Sequence, residues 1–292
     1  MDLSTVIELF GWALLALAAT SLAAPLIGGF LYARGTSFHG LVLPQLATFG
    51  VALGYALSPW LAGSMGAHAG HAHGGAGDAA VSDLYHLAFG ALGVVAGLCA
   101  LTWLARGRGS ESARLAGAFV IASGGTVLCA QASPFGGLHL EALLSGEALT
   151  VGRADALLVL GASLATVALV VWAWRDLTLV GHDRAFARAL GLPVARADVA
   201  LAAATAAIVT VGTLALGPLP LFALLVLPAL GARAGAGSMR AFLARAALVG
   251  VSGASAGAAL SFGLDLPLGA AVVAGSAATA GAARLLLRAR AH

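Results

Sequence analysis

The sequence predicts an all-α integral membrane protein of about nine transmembrane helices, N-terminus outside and C-terminus inside, with one short cytoplasmic helix. Three observations carry that fold class. Sixty per cent of the 292 residues are hydrophobic and nine per cent are charged, too little polar surface to cover a water-soluble core of this size. The apolar residues fall in runs of roughly twenty, the length that carries a helix across a hydrocarbon layer of about 30 Å. The basic residues, all fifteen of them arginine, alternate between successive connections.

The runs lie at 6–30, 39–60, 83–104, 114–133, 154–174, 196–216, 218–232, 241–262 and 267–287. No basic residue precedes Arg34. The first run therefore lacks the positive region that opens a cleavable leader, and it reads as a retained helix. The run at 218–232 is short and opens on Gly217-Pro218, so it reads as a partial or tilted crossing. Residues 139–150 read as a helical turn lying at the outer membrane surface. Residues 1–292 are expected to form a single transmembrane domain.

Orientation follows from the arginines. With the N-terminus outside and every run crossing, the inner connections carry Arg34, then Arg106, Arg108 and Arg114, then Arg175, Arg184, Arg188 and Arg196. Arg233, Arg240 and Arg245 follow on the same side, as do Arg284, Arg288 and Arg290, and Arg153 alone falls outside. Fourteen of fifteen basic residues on one side is the positive-inside pattern. One missed crossing would scramble the alternation downstream.

Small residues recur at helical spacing in Gly50-x-x-x-Gly54, Gly93-x-x-x-Gly97 and Gly253-x-x-x-Gly257, which suits close backbone approach in lipid. Cys99 and Cys129 lie inside apolar runs and are expected as small buried thiols rather than a disulfide framework. The outer loop 61–82 is rich in Gly and Ala and holds His68, His71 and His73, with Asp78, Asp83 and His86 close by. Imidazoles at this density can capture zinc, copper or nickel, although the spacing is not that of a closed structural site. His139, Glu141 and Glu147 fall on the same side and could line an outer vestibule or a docking surface.

Between the fifth and sixth runs stands a segment with helix punctuation. Asp183 suits an N-cap, Arg188 the C-terminal turn and Gly191 a stop, and Pro193 prevents continuation. The product is an amphipathic cytoplasmic helix of about two turns with one aromatic, Phe186.

Residues 183–193, with alanines before a Gly-hydrophobic pair, resemble the coupling helix of bacterial ABC-type permeases that import zinc and manganese. Leu143-x-x-Gly146-Glu147-Ala148-Leu149 is similar to that family's outer segment. Leu216-Gly217, then Leu224-Leu225-Val226-Leu227-Pro228-Ala229 and Ala232-Arg233, is similar to its pattern near the seventh span. The resemblance covers roughly residues 10–285. It implies a homodimeric permease in the bacterial plasma (inner) membrane, in contact with its lipid. Asp183, Phe186, Ala187, Arg188 and Gly191 would engage a separate ATPase subunit, and an extracytoplasmic substrate-binding protein would deliver the cargo. ATP would be used by the partner, with no cofactor on this chain, no catalytic residues and no nucleic acid. A chain without lysine cannot hold a Gly-Lys-Ser/Thr phosphate loop.

The second span departs from the family. There an aspartate, followed four residues later by a histidine, is taken to contact the metal in transit. Alignment on Arg34 and Gly50-Val51-Ala52 places Leu41 and Gln45 at those positions, with His39 two residues out of register. Leucine cannot ligate, and a glutamine carbonyl suits harder cations better than zinc. His39, Leu41 and Gln45 are the pathway candidates. The alternatives are the same architecture with a non-metal or chelated-metal cargo, and an ATP-independent secondary transporter. The latter expects ionisable residues in mid-span, whereas almost every charge here lies near a span end. The siderophore and cobalamin permeases share the bundle logic with more spans and longer chains. A membrane enzyme would need His-x-x-x-His, Ser/Lys or Asp pairs at catalytic spacing within the spans, and the runs hold none.

Overall fold

The computed structural model describes residues 3–65, 76–105, 110–133, 151–234 and 236–289. Among the described residues there are eleven helices and no strand. They are α1 (Leu3–Ala33), α2 (His39–Met65), α3 (Ala76–Leu104), α4 (Glu111–Ala132), α5 (Arg153–Trp172) and α6 (Trp174–His182). The chain continues through α7 (Arg184–Ala189), α8 (Val194–Leu216), α9 (Pro218–Ala232), α10 (Met239–Leu264) and α11 (Leu268–Ala289). Eight of these are long and apolar enough to cross a membrane. In lipid a spanning backbone must satisfy its own polar groups, which is why these runs are helical rather than extended. Buried hydroxyls follow the same rule: Thr20, Thr48, Thr126 and Thr205 each donate to the carbonyl four residues back.

The ninth apolar helix, α9, has 15 residues, about 22 Å of rise at 1.5 Å per residue. It is joined to α8 through Gly217 alone. That residue adopts φ 85°, a left-handed conformation that glycine reaches without steric cost. Pro218 then opens α9, where its missing N–H costs nothing. The short crossing anticipated from Gly217-Pro218 is thus a tight helical hairpin.

Two successive pairs of long helices, α2 with α3 and α10 with α11, pack along each other, and glycine sets how closely. Gly50 of α2 meets Gly93 of α3 backbone to backbone, Gly54 faces Phe89, and Gly97 faces Leu46. Gly253 and Gly257 of α10 lie against Ser276 and Val272 of α11. Gly28 of α1 abuts the Leu225 carbonyl of α9, and Gly231 of α9 abuts Ala280 of α11. All three glycine pairs singled out in the sequence are therefore at helix crossings. The deepest side chains, Ile27, Phe30, Leu177, Ile208, Leu221, Leu224, Leu225 and Leu243, converge on α1 and α9. The outer helices α3, α4 and α5 leave Leu92, Trp103, Ile121, Leu128, Leu164 and Trp172 exposed, the surface a bilayer would cover.

Three expectations are corrected. Cys99 is exposed and Cys129 half-exposed, both as free thiols, not buried ones. Each sits on an outer helix, where an apolar residue is as well placed toward lipid as toward the core. The outer loop 61–82 is shorter than expected, because α2 runs on to Met65 and α3 starts at Ala76; alanine-rich sequence favours helix. The fifth run ends early at Ala173, and a separate amphipathic helix, α6, follows it. Leu177 and Val180 form its buried face.

Candidate functional site

The described arginines, apart from Arg153, gather at one end of the bundle. Two lean on aromatic rings there: Arg233 lies over Tyr32 with its guanidinium carbon 5.3 Å from the ring centre and also hydrogen-bonds that phenol. Arg240 lies over Trp174 at 5.7 Å, and Trp174 meets Phe30 edge-on. Arg153, at the opposite end, covers Trp12 at 5.8 Å.

The short helix α7 lies at the arginine-bearing end, packed against α6 and α8. The Asp183 carboxylate accepts from the N–H groups of Ala185 and Phe186 at 2.8 and 2.9 Å, closing the first turn as an N-cap does. At the other end Gly191 has φ 70°. Its N–H donates to Arg188 O at 3.0 Å, and that of Leu192 donates to Ala187 O at 3.1 Å, which is the Schellman arrangement that stops a helix. A helix of six residues is too short to persist by propensity alone, so these two caps define it. Its faces differ sharply. Ala187 is fully buried at 0 % exposure, while Phe186 and Leu190 are each 55 % exposed. The structure thus places Ala187 on the bundle side and Phe186, with Arg188 and Gly191, on the open side.

Asp198, in the second turn of α8, was not singled out in the sequence. Its carboxylate accepts from Arg34 Nη1 at 2.9 Å through one oxygen and from Arg184 Nη2 through the other. Burial lowers the Arg34 pKa, an effect that Asp198 partly opposes and nearby Arg184 reinforces. The available signal was weak: an acid beside Arg196 at a span end, with no local cue to its partners.

Two of the three second-span candidates, Leu41 and Gln45, share one side of α2. Gly40 approaches Val226 of α9, and Phe49 packs on Gly125 of α4. At 100° per residue, Leu41 and Gln45 fall in the sector between those contacts, and both are half-buried. Among the described residues no hydrogen bond is recorded to the Gln45 amide. His39 points elsewhere: its Nδ1 lies 3.2 Å from Thr36 O and 3.9 Å from a Glu111 carboxylate oxygen at the start of α4.

His68, His71, His73, His139, Glu141 and Glu147 lie outside the described residues. His86 stacks on Tyr55 with ring centres 4.0 Å apart and meets Tyr85 edge-on at 5.4 Å. Among the described residues no three His, Cys, Asp or Glu side chains come together as a metal-holding group.

A bundle of eight membrane-length helices with a capped surface helix at its arginine-bearing end defines a multi-pass membrane protein. The chain belongs to the ABC 3 transport family, which matches it over residues 6–283. It is 35 % identical over 117 residues to the zinc transport system membrane protein TroC of Treponema pallidum, across 40 % of this chain and 39 % of that protein. It is 33 % identical over 94 residues to the manganese transport system membrane protein MntC of Bacillus subtilis, across 32 % of this chain and 22 % of that protein. The matched stretch thus spans about two fifths of the one curated relative and a fifth of the other. The fold resembles the solved structure of PsaBC from Streptococcus pneumoniae in complex with Fab. The TM-score is 0.76 at 17 % identity, over 96 % of this chain and 93 % of that one.

Proposed function

We propose that the chain, as one permease domain over residues 1–292, is the membrane subunit of an ATP-binding-cassette importer for a divalent metal ion. A second copy completes the permease, and a separate ATPase hydrolyses ATP, so the chain itself is not an enzyme. An extracytoplasmic binding protein hands over the cargo. The protein lies in a bacterial plasma membrane with its N-terminus outside and its C-terminus inside, since the arginines then face the cytoplasm.

One observation carries this reading: α7, capped at both ends, presents Phe186 and Leu190 outward from the arginine-bearing end of a chain of this family. A short rigid helix with an exposed aromatic offers a partner a preformed knob of buried area. Zinc and manganese are the first cargoes to test, given the names of the two relatives. The test of docking is Phe186→Asp. That variant should lose the co-expressed ATPase on purification, while its bundle keeps its unfolding temperature. Retention at the wild-type ratio would overturn the assignment.

Leu41 and Gln45 support a second reading of the cargo. A half-buried amide and an alkyl group supply little for a naked zinc ion, so a chelated metal or a harder cation fits that sector better. Uptake measured across a panel of free and chelated metals separates the two.

A further inference from the structure

Three separate parts of the chain meet on one carboxylate. Arg34 directly follows the last residue of α1, Asp198 lies near the start of α8, and Arg184 is the first residue of α7. Arg34 also runs beneath the end of α6, where a side-chain carbon on Gly181 would sit 3.9 Å from its Nε. Arg34 stands at the C-terminal end of α1, where a base suits the helix dipole.

We propose that Asp198 is the tie through which motion of α7 reaches the spans: a positioning residue that makes α1 and α8 follow the surface helix. This rests on the reading of α7 as the ATPase-docking element. Apart from its covalent links, α7 is held to the bundle by little else. Its one wholly buried side chain is Ala187, a single methyl group. Such a helix could rock against α8 without moving it. Charge-assisted hydrogen bonds to both oxygens of one carboxylate are short-ranged and directional, so they convert rocking into displacement.

The two arms are unequal. The Arg34 side chain is 13 % exposed, Asp198 31 % and Arg184 53 %. When Arg184 lets go, Asp198 keeps Arg34, and no charge is left buried alone. Loss of Asp198 strands both arginines, one of them buried, which is the costly case. The node is therefore built to yield at α7 and hold at α1.

The test uses the complete complex of permease and co-expressed ATPase in lipid nanodiscs, read by hydrogen exchange with and without ATP-vanadate trapping. In the wild type, trapping should change exchange both in α7 and at the end of α1, residues 30–37. Asp198→Asn and Arg184→Gln should keep the ATPase and the α7 response while losing the response at 30–37. Asp198→Glu should restore it. An unaltered α1 response in Asp198→Asn and Arg184→Gln overturns the proposal, as does loss of the ATPase from those variants. Should Asp198→Asn fail to fold, Arg184→Gln decides, since its side chain is exposed and its removal leaves the Arg34 pair intact. Failure of the docking reading is separate: it shows as Phe186→Asp retaining the ATPase.

Discussion

Gly50 of α2 and Gly93 of α3 are in backbone contact: a Cβ placed on Gly93 would lie 2.9 Å from the Gly50 Cα and 2.4 Å from the Leu46 carbonyl oxygen. The neighbours it meets are backbone atoms, which cannot rotate away, so α2 and α3 must separate to admit a methyl group.

Gly93→Ala is therefore expected to destabilise the bundle by about 1–3 kcal/mol, the usual cost of overpacking. Gly117→Ala and Gly124→Ala, where nothing lies within 4 Å, should be neutral or gain up to about 1 kcal/mol from helix propensity. Thermal unfolding in detergent, followed for the three variants side by side, checks this. Equal midpoints for Gly93→Ala and Gly117→Ala would contradict the crossing.

For Gln45 the expected outcome is accessibility. Gln45→Cys, in a background lacking Cys99 and Cys129, should react with a small polar thiol reagent. The rate should fall when the transport cycle closes the pathway. A polar amide within a span is costly unless it meets partners or a watery cavity, and Gln45 has no recorded partner among the described residues. A folded variant whose thiol never labels, from either side or in any state, would make Gln45 a structural contact between helices.

The histidine-rich connection makes a kinetic prediction. Changing His68, His71 and His73 together to alanine should weaken uptake at low metal concentration and leave the maximal rate unchanged, since capture on the outer side raises local cargo supply only. Uptake curves over a concentration series decide it, and superimposable curves would assign those imidazoles no part in capture.

Local punctuation and apolar run length were enough, in this sequence, to determine the helical bundle. A run of twenty apolar residues has one stable form in lipid, so the long helices are read directly, and the short apolar helix at 218–232 with them. Asp183, Gly191 and Pro193 bound α7 because caps depend on the few residues beside them. The glycine pairs at 50 and 54, 93 and 97, and 253 and 257 mark crossings, because the missing side chain itself creates the close approach.

Which face of each span turns inward was decided only by the tertiary structure. Apolar residues surround α1, α2 and α3 almost evenly, and lipid is as apolar as the protein core. No pattern therefore separates a buried Leu43 from an exposed Leu92 or Cys99. The same limit hid Asp198. Its bonds reach 164 residues back to Arg34 and 14 back to Arg184, and a carboxylate's partners follow from packing, not from spacing along the chain.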